Sequence, residues 1–304
     1  MIVNYGYCCI SIGVNSDVKK KDEIMVNRGM IKKTFDEKGL SYASELAILN
    51  LKDCLKILKY NIRNGIFVYR MSSDMFPWFT HYNFVDLPNF SVIEKLLKEI
   101  GNFVLENKIR VGFHPGPFCI ISSERQDVVD KSIDELNKHS LILDLMGLPA
   151  NNYYSINIHL NSTKPTLEAS AERFCNNYFF LSQSAKSRLT VENDDKPAQF
   201  TVEDLYRLVH CKIGIPIIVD SLHYTCHSGG SWEDTFILAA STWKNITPLC
   251  HHSSSRKLYE DSLSTLQSHS DYLYEKFENF GIDVDVELEC KMKDIALLKY
   301  RKQF

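Results

Sequence analysis

Eight times along the chain a short apolar run gives way to polar or ionisable residues, and a stretch of helical periodicity follows before the next run. No other feature limits the fold as strongly. The runs are Ile2–Cys8, Ile66–Met71, Ile109–His114, Tyr154–His159, Leu189–Glu192, Ile215–Asp220, Pro248–His251 and Val284–Glu289. Ile215–Asp220 is the clearest: its β-branched residues, with Gly214 and Pro216, favour a strand buried on both faces, although periodicity alone also fits a buried helix. The helical stretches between the runs are Ser41–Ile62, Ser91–Asn107, Arg125–Leu145, Thr166–Ser184, Val202–Val209, Trp232–Trp243 and Arg256–Phe280. N-cap signals at Asn89-Phe-Ser91 and Thr201-Val-Glu-Asp204 mark two of the starts. Eight strands alternating with helices predict an α/β fold, a parallel sheet closed into a (β/α)8 TIM barrel with its site at the C-terminal mouth of the strands.

At 304 residues the chain has the length of two small domains or one large barrel. The full set of eight runs favours residues 1–304 as one barrel, with 11–40 a polar insertion after the first strand. A net charge of −3 gives no global basic signature, so contact with nucleic acid would need a local patch. Nine cysteines without a C-x-x-C pair argue for free thiols and against a disulfide scaffold or zinc ribbon. Met1-Ile-Val-Asn-Tyr-Gly runs straight into a strand pattern, which predicts no secretory leader, and no apolar run reaches the ~18–20 residues of a membrane span. The expectation is an intracellular protein of a reducing compartment, cytoplasm or nucleus.

Three loops stand out. Ser11–Leu40 carries Lys19-Lys20-Lys21 and Lys32-Lys33, either a phosphate contact or a solvated face. Ser72–Phe84 holds Phe76-Pro-Trp78-Phe79-Thr-His81-Tyr82, aromatics that either stack on bases or pack over the barrel rim. Ser228-Gly-Gly-Ser231 reads as a turn before a helix, and no glycine-rich phosphate motif occurs.

The strand ends carry the chemistry. Strand three ends in His114, four in His159, five in Glu192, six in Asp220 with His223 beyond it, seven in His251-His252 and eight in Glu289. With only 10 histidines in the chain, three strands ending on one is a poor fit to chance. In a barrel these ends share one rim, where barrel enzymes keep their active sites. Any one of these histidines alone would read as a satisfied core residue; six consecutive strands with the same habit point to a shared site. Imidazoles and carboxylates, with no thiolate at the ends of strands three to six, suit Zn²⁺, Mn²⁺ or Fe²⁺. So many donors imply two or three ions, with Glu192 or Glu289 able to bridge. Clustered ions favour hydrolysis, by activating water and holding phosphate oxygens.

At these residues the sequence resembles the UV damage endonucleases, relatives of endonuclease IV and of xylose isomerase-like barrels. The pieces are Gly6-Tyr7-Cys8, Tyr69-Arg70-Met-Ser-Ser, Phe113-His114-Pro-Gly116, Ile158-His159-Leu160, Val191-Glu192-Asn-Asp194, Val219-Asp220-Ser-Leu-His223, Pro248-Leu-Cys-His251-His-Ser-Ser254, His269-Ser-Asp-Tyr272 and Glu287-Leu-Glu289-Cys-Lys291. The resemblance implies a divalent-metal enzyme, Mn²⁺ foremost with Zn²⁺, Co²⁺ or Mg²⁺ as alternatives, acting as a monomer on double-stranded damaged DNA without a protein partner. It would nick the strand immediately 5′ of a UV photoproduct and leave a 3′-hydroxyl and a 5′-phosphate. By matching position the ligands would be His114, His159, Glu192, Asp220, His223, His251 and Glu289. Glu192, Glu289 and His269 would be catalytic, and Tyr7 and Arg70 would meet DNA, joined by Trp78 of the aromatic loop if that loop stacks on bases and by Phe118, which can still stack although it departs from the family's pair. Three departures are present. Pro117-Phe118 replaces a Gln-Tyr pair, Leu249 replaces a lysine before the strand-seven histidine, and Asp74 stands where some relatives have a ligand histidine. His252 is an alternative donor beside Leu249. Two other readings share the pattern: a sugar isomerase or epimerase on the same barrel, and a damage-binding barrel that has lost its chemistry.

Overall fold

The computed structural model describes residues 3–227 and 230–304, so Ile2 of the first expected strand and Ser228 and Gly229 of the expected turn lie outside the described residues. The strands are β1 (Val3–Cys8), β2 (Val68–Arg70), β3 (Arg110–Gly112), β4 (Ile156–Ile158), β5 (Leu189–Glu192), β6 (Ile217–Asp220), β7 (Leu249–His252) and β8 (Val284–Leu288). All paired neighbours are parallel, in the order β3-β2-β1-β8-β7-β6-β5-β4. A parallel bridge between Phe113 and Ile156 joins the two ends, and the sheet closes into the expected barrel.

Around it run α1 (Lys32–Arg63), α2 (Phe90–Glu106), α3 (Gln126–Leu145), α4 (Leu167–Tyr178), α5 (Gln183–Arg188), α6 (Val202–Leu205), α7 (Cys211–Ile213), α8 (Ser221–Thr225), α9 (Trp232–Ser241), α10 (Arg256–Tyr259) and α11 (Lys293–Gln303). The Thr201 cap forms as read: its hydroxyl accepts from the Asp204 backbone N–H at 3.1 Å. A π-helical turn, Tyr206–His210, links α6 to α7, and Gly214 at φ +72° ends that helix.

The helical expectations need four corrections. α1 starts inside the stretch read as a polar loop, and Gly39, at φ +60°, breaks it just before the segment predicted from Ser41. Thr166–Ser184 divides into α4 and the start of α5. Arg256–Phe280 is not one helix: only α10 forms. Side chains there capture local backbone groups and compete with a helix. Glu260 accepts from the Asp271 N–H at 2.8 Å, and the Ser255 hydroxyl donates to the Leu266 carbonyl at 2.7 Å. The fourth correction is α11, a helix not anticipated from the sequence, which covers β1 from outside.

Alternation along each strand separates two environments. Outward residues such as Tyr7, Tyr69, Val191, Val219 and Cys250 join the core beneath the helices. Inward residues are apolar only in a thin layer, where Val68, Ile218 and Leu249 pack with Trp243. Below that layer Arg110, 2% exposed, fills the N-terminal end of the barrel. Its guanidinium donates to the Thr247 carbonyl at 2.7 Å, to the Tyr153 carbonyl at 3.0 Å and to Asp285 at 3.0 Å. Asn4 donates to the other oxygen of Asp285 at 2.8 Å. Removing one partner of a buried ion pair leaves the other charge uncompensated, at a cost of about 3–5 kcal/mol. Arg110→Ala is therefore expected to lower the urea midpoint by that much stability without changing the m-value. A loss below about 1 kcal/mol would mean that the plug contributes nothing net.

Candidate metal centre

Above the apolar layer the inward positions turn ionisable, and they gather on one carboxylate. Glu192, at the end of β5, is 1% exposed. Four imidazoles face it. His114 Nε2 lies 3.1 Å and His159 Nε2 3.7 Å from one oxygen; His251 Nδ1 lies 3.1 Å and His223 Nδ1 3.4 Å from the other. The Asn157 amide donates to Glu192 as well, and is itself held by the Thr190 hydroxyl at 3.0 Å. Residues from four strands, or from just beyond their ends, thus converge with His223 of α8, because parallel barrel strands all end at the same rim.

Asp220 is both a cap and a site residue. One carboxylate oxygen accepts from the His223 N–H at 2.8 Å and starts α8; the other is buried with no hydrogen-bond partner. His223 Nδ1 lies 2.9 Å from the Asn193 carbonyl, a contact that leaves Nε2 as the free ring nitrogen. His251 is fully buried, and neither ring nitrogen completes a hydrogen bond. Glu289 stands 3.3 Å from His251 Nδ1 and 3.8 Å from His269 Nε2, and it pairs with the Arg70 guanidinium. His269 reaches the rim from the irregular segment after α10, held by a bridge to Ser255.

These donors form three linked trios: His114, His159 and Glu192; Glu192, Asp220 and His223; Asp220, His251 and Glu289. Within each, the donor atoms lie within 4.8 Å of one another. Glu192 and Asp220 each belong to two trios, the position of a bridging carboxylate. Nitrogen and oxygen donors at ~2.0–2.2 Å from an ion sit a few ångströms apart, as these do. Asp220 Oδ2 and both ring nitrogens of His251 are among the buried polar atoms that no protein group satisfies with a hydrogen bond. The residues present fit divalent ions.

The electrostatics agree. Burial opposes ionisation of Glu192, yet His251 and His159 beside it hold its carboxyl well below the usual range. For Glu289 burial is likewise overcome, by Arg70 and then His251, and its pKa is lowered. His159 moves down to about 4, since burial outweighs Glu192. Burial works against a charge on His223, but Asp220 and Glu192 push it up to about 9. Strongly perturbed ionisable groups gathered in one cleft are the arrangement that functional sites use.

Several expected residues lie elsewhere. Tyr7 points outward, fully buried, and its hydroxyl donates to Asn61 at 2.7 Å, so it presents no surface to DNA. Arg70 faces into the barrel against Glu289 and Glu287 rather than out toward a duplex. His252 points away from the centre: Nδ1 meets the Ser221 hydroxyl at 2.7 Å, Nε2 the Glu275 carbonyl at 3.2 Å, and the ring packs on Phe277. It is not an alternative donor. Asp74 is exposed and stays outside the trios; it lines a groove of about 560 Å³ with Trp78, Phe118 and Glu135. In that groove Trp78 is half-buried, donating to the Met30 carbonyl at 2.9 Å and stacking on Phe35, whereas Phe118, next to exposed Pro117, is 88% exposed. Three site residues were missed. Asn157 steadies Glu192, Asp194 lies 3.5 Å from His159 Nδ1, and Glu287 lies 3.2 Å from His251 Nε2. Asn157 and Glu287 sit two positions before a named strand-end residue and Asp194 two after one, so the period of two along a strand was the signal that could have found them.

The molecule is, then, a (β/α)8 barrel with a histidine–carboxylate centre of metal-binding type at its C-terminal mouth. Residues 3–304 match the family described as UV-endonuclease UvdE, and the chain belongs to that family, whose members are DNA repair endonucleases for UV damage. A UV DNA damage endonuclease of Clostridium perfringens is 31% identical over 97% of this chain and 69% of its own length. A putative UV-damage endonuclease of Acanthamoeba polyphaga mimivirus is 29% identical over 100% of this chain and 92% of its own. The crystal structure of SacUVDE superposes with a TM-score of 0.84 at 29% identity, covering 99% of this chain and 97% of that one. Endonuclease IV from Thermus thermophilus and a D-psicose 3-epimerase, at 13% and 11% identity, share the fold alone.

Glu192→Gln keeps the shape and removes the charge that four imidazoles share. Elemental analysis of the folded variant after equilibration with Mn²⁺ is expected to find at least one ion per chain fewer than in the parent. Equal metal content in both would take Glu192 out of the centre.

Proposed function

We propose that this chain is a hydrolase that nicks double-stranded DNA immediately 5′ of UV photoproducts, cyclobutane dimers and 6-4 products, and also at abasic sites, leaving a 3′-hydroxyl and a 5′-phosphate. The observation that carries the reading is the convergence of four imidazoles on Glu192 at the mouth of a barrel, in a chain of the UV-endonuclease family. Two or three divalent ions, Mn²⁺ foremost, would be held by His114, His159, Glu192, Asp220, His223, His251 and Glu289. Bound there, they would supply charge neutralisation for the phosphate and a water of lowered pKa.

The chain's own residues do the rest. Glu192 and Glu289 hold the donor set in place and keep their negative charge at neutral pH. Asn157 fixes the Glu192 carboxylate, so little reorganisation is needed when charge develops on a phosphate. His269, about a quarter exposed at the rim, is placed to meet the scissile phosphate and pass a proton to or from an oxygen there. Phe118 projects from the rim into solvent, placed to stack on a base displaced beside a lesion. Trp78, more deeply packed in the same groove, would shape it. The working unit in this proposal is one domain over residues 1–304, acting as a monomer in a reducing compartment, consistent with nine unpaired cysteines. Among the described residues no helix is long and apolar enough to cross a membrane.

Two measurements test the proposal. UV-irradiated supercoiled plasmid, incubated with the protein and Mn²⁺, is expected to be nicked while untreated plasmid stays closed. A metal-loaded, folded protein that nicks neither, or nicks only plasmid carrying abasic sites, would refute the photoproduct specificity. Phe118→Ala is expected to keep its thermal stability and to weaken binding to damaged duplex about tenfold, the size of one lost stacking contact of ~1–3 kcal/mol. Unchanged affinity would remove Phe118 from the interface.

A further inference from the structure

We propose that Glu287 is an additional carboxylate donor of the metal centre, deepening the reading above and resting on it. In strand register Asp220 pairs with His251, and His251 pairs with Glu287, so three donors stand side by side across β6, β7 and β8. All three point into the barrel, at 0%, 0% and 3% exposure. One oxygen of Glu287 lies 3.2 Å from His251 Nε2, and neither atom completes a hydrogen bond. Asp220 Oδ2, on the same rung, is also without a partner. Neighbouring buried donors with unused lone pairs, at the spacing of adjacent ligands on one ion, are the feature that identifies a ligand here.

The charge balance points the same way. Glu192, Asp220, Glu287 and Glu289 are four carboxylates gathered around Arg70 and the imidazoles of the site. The Arg70 guanidinium is 3.5 Å from Glu287 and is engaged more closely by Glu289. Burying four carboxylates together is costly, and a divalent ion on the rung would offset part of that charge. One rung below His251 on its own strand, Leu249 offers only methyl groups, packed with Val68 and Ile218. At this depth β7 therefore supplies a single donor, and β8 supplies the second. His251 faces carboxylates on both sides, Nδ1 toward Glu192 and Glu289 and Nε2 toward Glu287, so one nitrogen can ligate while the N–H on the other donates to a carboxylate.

The test uses the full chain, stripped with a chelator and titrated with Mn²⁺ alone, with bound ion counted by elemental analysis and free ion by electron paramagnetic resonance. Glu287→Gln, with a melting temperature in chelator near that of the parent, is expected to bind one Mn²⁺ fewer per chain at concentrations that saturate the parent. Full stoichiometry in this variant overturns the proposal: unchanged affinity would make Glu287 an ion-pair partner of Arg70, and weakened affinity would make it a positioning residue for His251. If Glu287→Gln does not fold, Glu287→Asp, which keeps the charge but draws it back by one methylene, is read in the same titration. At least tenfold weaker binding of one ion supports donation, and parental affinity overturns it. A parent chain that binds no Mn²⁺ at all would instead sink the metal-centre reading itself.

Discussion

The buried carboxylate of Glu192 is the constraint on which the rest depends. An isolated ionised carboxylate with 1% exposure would cost several kcal/mol and would neutralise itself instead. It stays ionised because His251 and His159 act on it directly, with His114 and the Asn157 amide bonded to it. Those groups come from β3, β4 and β7 or the residues that end them, and only a closed barrel brings such strands to one point. The site is thus not an addition to a finished fold. The charge state of Glu192 depends on the closure of the barrel, which brings the surrounding imidazoles to it.

The interior is divided along its axis into parts with different duties. At the N-terminal end, Arg110 and Asp285 form a buried ion pair whose hydrogen bonds run mainly to backbone carbonyls and Asn4. Its groups satisfy one another, which is the mark of a structural plug. At the C-terminal end, Asp220, His251 and Glu287 retain buried atoms with no partner. Val68, Ile218 and Leu249 lie between the two. Both ends are polar and buried, so burial alone does not separate stability from function; hydrogen-bond satisfaction does.

The same distinction governs how much was legible in the sequence. The eight strands and most residues of the candidate centre were visible because an apolar run that stops on histidine or glutamate leaves a sharp edge. Arg110 was not visible, since inside a strand buried on both faces a charged residue breaks no strict alternation, whereas Glu287 lay within reach of the period of two that runs back from Glu289. Tyr7 and His252 were misassigned because a strand end gives two adjacent residues opposite directions, and a motif in the chain does not say which points inward. The stretch from Arg256 to Phe280 looked helical from its apolar spacing, but Ser255, Glu260 and Asp261 satisfy backbone groups locally. The resulting irregular segment, not a helix, is what carries His269 to the rim.

Access to the centre is graded, and the gradient bears on how a polymer could be cut there. Glu192, Asp220 and His251 are at most 1% exposed, whereas the His114, His159, His223 and Glu289 side chains show 18%, 17%, 11% and 14%. A phosphate arriving from solvent meets the outer imidazoles and Glu289 first, while the inner carboxylates stay out of its reach. Charge held at the floor can then set the position of ions without competing for the substrate, which keeps the inner donors preorganised through a reaction at the rim.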